Sequence, residues 1–340
     1  MDSITQVTIG CAIGEVCLGR QLGNRAILWG GLVGTLADLD VLVNPLFDEV
    51  AKLTWHRGYS HSILVSLVVA PLLAWLMHRL YRDRTQFRHW LVFMLMALQA
   101  SIWLDAFTVY GTQLLQPFSD YPVGFNSISI VDPIFSLPLL IAVITALFLS
   151  RENVKRRLLN GIVLTFGAIY LVATLGFKSH INSVAEEAFA KQGITVERYM
   201  TAPTLFNTVL WRIMGEVEDG YWVGYHSLLD EHDGLKFQFI SRNDSLLATV
   251  RGSRAHKVLM WFSKGWYTVH QLEGRLMLSD IRFGELDVDL NNPRVYIFTW
   301  ELLPDESRPG EYTFVQVQPE MTNARAVFRN LAEGIMGRLH

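Results

Sequence analysis

Cysteine and charge are both scarce in this 340-residue sequence, and each scarcity excludes a class of protein. The two cysteines, Cys11 and Cys17, lie six residues apart in an apolar stretch and form no C-x-x-C motif. We therefore expect small buried side chains there, not a redox or metal pair. Charged residues make up only 18% of the chain, and no basic run suggests a nucleic-acid partner. Neither a Walker loop nor a Gly-x-Ser-x-Gly elbow is present.

Apolar residues, by contrast, reach 51% and are concentrated in the first half of the chain. Residues 1–177 form a series of long apolar runs, whereas residues 178–340 resemble a soluble domain. A membrane-spanning helix needs about 20 mostly apolar residues. Six segments are candidates, the first of them short and rich in glycine: 5–19, 26–43, 61–77, 89–111, 133–150 and 158–177. The expected fold class is thus an α-helical membrane bundle of about six spans in residues 1–177, followed by a second domain.

The connections between these predicted spans differ in charge. The first, third and fifth connections carry ten lysines and arginines, whereas the second and fourth carry only Lys52 and Arg57. Cytoplasmic loops of membrane proteins are enriched in positive residues. The pattern therefore predicts a multi-pass membrane protein, surrounded by lipid. Its N-terminus and residues 178–340 are expected outside the cytoplasm.

Residues 178–340 predict a small α+β domain built on an antiparallel sheet. A helix is expected at 179–192, and an amphipathic helix at 323–339 ends the chain. Between them lie strand-like runs bounded by Asp, Asn, Gly and Pro clusters: 221–229, 236–240, 257–278, 294–303 and 312–317. Trp211 and Arg282 could face the membrane half from this domain, but packing in its core or on its surface is the alternative.

Several ionisable residues in the apolar half are predicted to lie at the same depth in the membrane. Such a residue in a membrane helix is costly, so it needs a partner or a function. Six of them fall near the outer face: Asp38, Asp40, His56, His61, Asp105 and Asp132. Carboxylate oxygens and imidazole nitrogens suit zinc first, with manganese or magnesium as alternatives. The set could hold one ion, or two ions that share a bridging carboxylate.

Helix geometry sets two conditions on this metal site. Residues two apart on an ideal helix point about 200° apart. Asp38 and Asp40 can therefore share an ion only if the helix ends or unwinds there. His56 and His61 are five apart and also need a turn, which Gly58 could supply.

Members of the group also have structural explanations. Asp132 precedes Pro133 and could simply cap a helix. Ser60 could cap the third span and leave His61 at the interface, and Asp105 could pair with Arg57. All six could form a polar cluster without metal.

Glu15, deep in the first span, is expected to pair with Arg20 or Arg25 instead of joining the site. Four histidines are excluded because of their side of the membrane or their spacing: His78, His89, His180 and His226.

Three motifs together resemble a known family. They are Gly10-x-x-x-Gly14-Glu15, the run Gly34-Thr35-Leu36-Ala37-Asp38-Leu39-Asp40, and His56-Arg57-Gly58-Tyr59-Ser60-His61-Ser62. They resemble the YdjM/YbcI-like bacterial inner-membrane proteins, regarded as membrane-bound metal-dependent hydrolases, over at least the first 180 residues. The resemblance implies that five residues occupy the family's polar motif positions: Asp38, Asp40, His56, His61 and Asp105. Ala37 and Gln6 depart from the pattern, because many members have proline and histidine there.

The sequence as a whole favours a metal-dependent hydrolase at the extracytoplasmic membrane interface. Asp40 and Arg57 are the candidate catalytic residues, and Arg57 could clamp a phosphate or carboxylate or instead pair with a site carboxylate. The site depth favours a lipid-linked or amphipathic substrate, with a phosphoester as the first choice. The alternative is a non-catalytic membrane protein with a structural metal and an outer partner-binding domain. Transport of a metal ion or proton through the bundle is less favoured, because apart from Glu15 no series of polar residues crosses to the cytoplasmic side.

Overall fold

The computed structural model describes residues 1–230, 234–292, 294–321 and 323–338, which form two units. The first unit comprises Met1–Pro45, Trp55–Leu175 and Leu205–Asn207. The second comprises Leu46–Thr54, Gly176–Thr204 and Thr208–His340. A single helix of 38 residues, α7, contributes to both units and runs through the boundary that the sequence suggested at residue 177.

The first unit is helical. Its α-helices are α1 (Ser3–Leu22), α2 (Asn24–Gly34), α4 (Ile63–Leu80), α5 (Phe87–Phe107), α6 (Pro133–Phe148) and the first part of α7 (Val154–Lys191). Two 3-10 helices, Ala37–Leu46 and Tyr59–His61, lie between α2 and α4 in the chain. The helix α3 (Glu49–Trp55) lies between them, and all of it except Trp55 belongs to the second unit. The side chains of Asp2, Ser62 and Asp132 cap α1, α4 and α6 by accepting first-turn backbone N–H groups.

The structure supports three or four membrane spans and does not support the six that the sequence predicted. Among the described residues, only α4, α5 and α7 are long and apolar enough to cross a bilayer. A fourth span is possible if α2 and the 3-10 helix Ala37–Leu46, which meet at an angle of 51°, count as one broken span. Helix α6 is apolar but shorter. Helix α1 was overcounted because its small and polar residues are buried against α2, α5 and α6.

Helices α1 and α2 pack backbone to backbone. A Cβ atom added to Gly10 would lie 2.3 Å from the carbonyl oxygen of Gly30, and one added to Gly34 would lie 2.5 Å from that of Gln6. Only glycine permits this approach, which resembles the small-residue packing of membrane helices. The contact fixes the end of α2, four residues before Asp38.

Glu15 pairs with a different arginine from the two that the sequence suggested. The Nε and Nη2 atoms of Arg156 on α7 donate to its two carboxylate oxygens at 3.0 and 2.7 Å, and both side chains are buried. Arg20 and Arg25 are exposed instead. The partner was missed because a fold contact across 141 residues leaves no signal in local spacing.

The second unit contains two four-stranded antiparallel sheets, each in chain order. The first sheet consists of β1 (Arg198–Pro203), β2 (Leu210–Val217), β3 (Gly220–Ser227) and β4 (Gln238–Ser241). The second consists of β5 (Tyr267–Leu272), β6 (Arg275–Glu285), β7 (Tyr296–Pro304) and β8 (Tyr312–Val317). A short 3-10 helix (Asp244–Leu247) and α8 (Arg254–Ser263) separate the sheets, and α9 (Ala324–Ile335) follows them. Leu339, within the predicted last helix, lies outside the described residues.

The α+β composition agrees with the sequence, but the expected single sheet and the long strand at 257–278 are wrong. Residues up to Ser263 belong to α8, because Ser253 caps a helix whose buried residues Ala255, Leu259 and Phe262 follow helical spacing. Lys264 and Gly265 then take left-handed conformations that end the helix before β5 begins.

Trp211 and Arg282 belong to the interior of the second unit. The indole N–H of Trp211 donates to the Thr208 carbonyl, and its ring is fully buried. Arg282 pairs with Asp280 and lies over the rings of Phe262 and Phe283. The packing alternative is therefore the correct one for both residues.

Candidate metal centre

Three of the predicted residues come together in the first unit. Asp38, His61 and Asp105 each offer a ligand atom, and these atoms all lie within 4.8 Å of one another. The Nε2 atom of His61 lies 3.2 Å from Asp38 Oδ1 and 3.2 Å from Asp105 Oδ2. His61 and Asp105 are fully buried, whereas Asp38 is partly exposed. The cluster therefore has one side toward the exterior.

The local fold explains how three distant residues meet. Helix α2 ends at Gly34, and the bend into the 3-10 helix places Asp38 beyond the end of an α-helix, as the sequence argument required. His61 immediately precedes Ser62, the residue that caps α4. Asp105 lies in the last turn of α5. All three candidate ligands thus stand at helix ends, where a side chain can leave the apolar surface of the bundle.

Asp40 lies beside this cluster and holds the segment that carries His61. Its carboxylate accepts hydrogen bonds from His56 Nδ1 at 3.0 Å, from the Arg57 backbone N–H at 2.9 Å and from the Ser60 hydroxyl at 3.0 Å. With three donors on its two oxygens, Asp40 is placed to orient the segment 56–61. Neither Asp40 nor His56 belongs to the ligand group found among the described residues.

The same contacts fix which nitrogen of His61 is available to a ligand. Ser60 Oγ lies 2.9 Å from His61 Nδ1 and donates its only hydrogen to Asp40. The hydroxyl must therefore accept from Nδ1–H, which leaves the lone pair of Nε2 facing Asp38 and Asp105 in the neutral ring. A carboxylate, hydroxyl and imidazole connected in this way resemble the outer partners that orient metal-binding histidines. The sequence suggested Ser60 only as a helix cap, and this role was missed.

Arg57 brings positive charge to the centre. It adopts a left-handed conformation with φ 57°, and its buried guanidinium places Nη2 3.1 Å from Asp105 Oδ1. The guanidinium carbon lies 4.3 Å from the ring centroid of Tyr110. The Nε and Nη1 atoms have no hydrogen-bond partner among the described residues, although both are buried. The Met1 amino group also contacts Asp105 Oδ1.

The protonation of His61 reflects its two carboxylate neighbours. Burial alone lowers the pKa of the imidazole, but the adjacent Asp105 and Asp38 carboxylates outweigh it and raise the pKa above 6.5. In the absence of metal, His61 therefore keeps a proton to higher pH than an ordinary histidine.

Asp132 stands apart from the cluster. Its Oδ1 accepts the Phe135 backbone N–H at 3.1 Å, and its Oδ2 accepts the Tyr170 hydroxyl at 2.9 Å. These contacts are those of a helix cap, the alternative that the sequence offered for this residue. Asp132 is not part of the ligand group among the described residues.

The donor set fits a divalent ion. Two carboxylates and one imidazole suit zinc or manganese, and three protein ligands are the number that a catalytic zinc site uses while a further position stays open. Such an ion needs its nitrogen and oxygen donors close together, and Nε2 of His61 lies between the carboxylates of Asp38 and Asp105.

The fold and this cluster together define an integral membrane protein with a polar centre at the ends of its apolar helices. Residues 1–181 match the family described as YdjM inner membrane protein, and the chain belongs to that family. The chain is also similar to the uncharacterized protein YfhP of Bacillus subtilis (strain 168), at 24% identity over 231 residues. That similarity covers 66% of this chain and 68% of the relative. No solved structure matches the chain.

Proposed function

We propose that the chain is a metal-dependent hydrolase that acts on a lipid-linked or amphipathic phosphoester at the extracytoplasmic interface of the inner membrane. One observation carries the proposal: an incomplete ligand set, Asp38, His61 and Asp105, lies beside a buried arginine with two unpartnered nitrogens. Unpaired buried donors are costly, so their presence favours a ligand that supplies acceptors. A phosphate has oxygens both for the ion and for the guanidinium.

Each residue has a stated role in this proposal. Asp38, His61 and Asp105 hold the divalent ion, with zinc as the first candidate and manganese or magnesium as alternatives. When bound, such an ion acidifies a water molecule and acts as a Lewis acid toward the scissile group. Arg57 donates to a phosphate oxygen from Nη1, while its Nη2 keeps the contact with Asp105. Asp40 acts through Ser60 as a positioning residue for His61, which revises its expected catalytic role.

The membrane location supports the substrate class. The cluster stands where α4 begins and α5 ends, at one end of two helices that are long and apolar enough to cross a bilayer. This end carries few basic residues in the sequence, which favours the extracytoplasmic side. A substrate with an apolar tail would reach the cluster from the lipid.

The test is hydrolysis of labelled lipid-linked phosphoesters by the full chain in nanodiscs. We expect turnover with zinc or manganese, loss of turnover on chelation, and loss in the Asp38→Ala variant. An Asp132→Ala variant is the matched control, because it removes a helix cap away from the ligand group. Equal turnover by wild type and the Asp38→Ala variant would rule out the proposal. Zinc binding without turnover of any ester would favour the alternative, a structural metal with a partner-binding outer domain.

Arg57 should contribute more to catalytic turnover than to zinc binding. We expect the Arg57→Lys variant to lower kcat/KM by about 100-fold, because a lysine ammonium lacks the planar fork that contacts Asp105 and a phosphate at the same time. The exposed Arg84, in the loop between α4 and α5, supplies the control variant Arg84→Lys, which should match wild type. Zinc affinity should change far less than kcat/KM in the Arg57→Lys variant. An unchanged kcat/KM would show that Arg57 only balances the charge of Asp105.

Protons should compete with zinc for His61. Metal ligands must be deprotonated, and the raised pKa of His61 means that its proton is still present above pH 6.5. We therefore expect zinc affinity to fall steadily as the pH is lowered from about 8 to about 6. Isothermal titration at several pH values measures this, and the His56→Ala variant should keep the same dependence. A flat profile would exclude His61 as a ligand.

A further inference from the structure

A loop with an apolar tip lies at the end of the first unit where α4 begins and α5 ends. Residues 112–123, here called the interfacial loop, are closed by an antiparallel bridge in which Thr112 and Val123 exchange backbone hydrogen bonds of 2.8 and 2.9 Å. The loop follows α5 and precedes α6. Its sequence contains one charged residue, Asp120, and no lysine or arginine.

The loop is held firmly to the segment that carries the metal centre. The Gln113 N–H donates to the Arg57 carbonyl at 3.1 Å, and the Ile63 N–H donates to the Leu114 carbonyl at 3.1 Å. The Ser62 hydroxyl donates to the Gln116 carbonyl at 2.6 Å. The Leu114 side chain is buried in a small cluster with Ile102 and Ala106. The orientation of the tip is therefore fixed by the fold.

The tip presents apolar side chains outward. Phe118 is 84% exposed, Tyr121 61% and Leu115 52%. Exposing this group of side chains to water is unfavourable, because apolar side chains of this size are stabilised when they are buried away from water. Tyrosine, like tryptophan, is enriched where membrane proteins cross the bilayer surface.

The apolar tip is continuous with the surfaces of two candidate spans. Ile63, which is hydrogen-bonded to the loop, is the first residue of α4, and the exposed Leu64 and Leu67 follow it. Trp103 is exposed near the end of α5, four residues before that helix ends. We propose that the interfacial loop inserts its tip into the lipid bilayer at the level of the headgroups. The partner is thus a lipid surface, and Asp120 limits the depth because a carboxylate stays at the hydrated level.

Insertion has a consequence for the metal centre. Because the loop is hydrogen-bonded to Arg57 and Ser62, a tip held in the lipid keeps the segment 57–62 near the phosphates of the headgroups. This inference does not depend on hydrolysis and would also hold for a non-catalytic protein.

Spin labels in nanodiscs test the insertion directly. A label at Phe118→Cys, in a Cys11→Ala and Cys17→Ala background, is compared with a label at Val68→Cys on α4 and a label at Ser307→Cys in the exposed turn between β7 and β8. We expect the label at position 118 to be several-fold more accessible to oxygen than to a nickel chelate, as at position 68. Accessibility to the chelate equal to that at position 307 would overturn the proposal.

A second measurement avoids replacing the native cysteines. A photoreactive benzoylphenylalanine at position 118 of the otherwise unchanged chain, in nanodiscs, should form adducts with lipid acyl chains on illumination. The same probe at position 307 should form none. Adducts to a second copy of the chain, without lipid adducts, would show that the tip is a protein interface and would contradict the inference.

Discussion

Zinc affinity is expected to fall by more than about 100-fold in the His61→Ala variant, because among the described residues no other imidazole faces both carboxylates. His56→Ala is the matched control. His56 lies in the same segment and contacts Asp40, but it is not in the ligand group. Changes in outer partners of metal ligands typically cost about 10- to 100-fold in affinity, so the control should lose less than His61→Ala.

Competition titration with a zinc chelator on detergent-purified protein measures both affinities. The Ser60→Ala variant should fall between wild type and His61→Ala, because it breaks the connection from Asp40 to Nδ1 but leaves the imidazole. Equal losses in the two histidine variants would mean that His56 also binds the ion. Wild-type affinity in His61→Ala would remove the proposed centre altogether.

The second large effect is expected in the second unit. The Arg282→Met variant should lose about 3–5 kcal/mol of stability, because it leaves the fully buried Asp280 without its partner. The double variant Asp280→Leu/Arg282→Met should recover much of this loss, since replacing both members of a buried pair with apolar residues is often nearly neutral.

Thermal and denaturant unfolding of the full chain, followed by tryptophan fluorescence, measures this pair. Arg275→Met is the control, because Arg275 lies on the same strand and pairs with Glu273 and Glu301 at an exposed position. That variant should stay within about 1 kcal/mol of wild type. Similar losses for Arg282→Met and Arg275→Met would contradict the burial of the Asp280–Arg282 pair.

The polar residues of the membrane half were predictable because the apolar background makes them conspicuous. Asp38, His61 and Asp105 were selected by their common depth, and the structure brings these three together. The separation of Asp40 from the ligands could not be predicted. It depends on the hydrogen bonds that the folded segment 56–61 directs to its carboxylate, which spacing alone does not reveal.

The count of spans failed for a physical reason. Hydropathy measures apolarity but does not distinguish a helix that faces lipid from one enclosed by other helices. Helix α1 packs through Gly10 and Gly14 against α2 and buries Glu15 with Arg156, so its composition reflects helix contacts. In the second unit, alternation located β3, β4, β7 and β8 but missed β1 and β2. The helix α8 was assigned to the same strand as β5 and β6 because their apolar residues follow one another without a break.

The most direct test of the metal centre is X-ray absorption spectroscopy of the zinc-loaded full chain in nanodiscs. The account predicts a first shell of oxygen and nitrogen atoms at about 2.0–2.1 Å that includes one imidazole and no sulfur. The imidazole signal should disappear in the His61→Ala variant and persist in His56→Ala. Two imidazoles, a sulfur ligand, or no ordered shell at one zinc per chain would contradict a centre built on Asp38, His61 and Asp105.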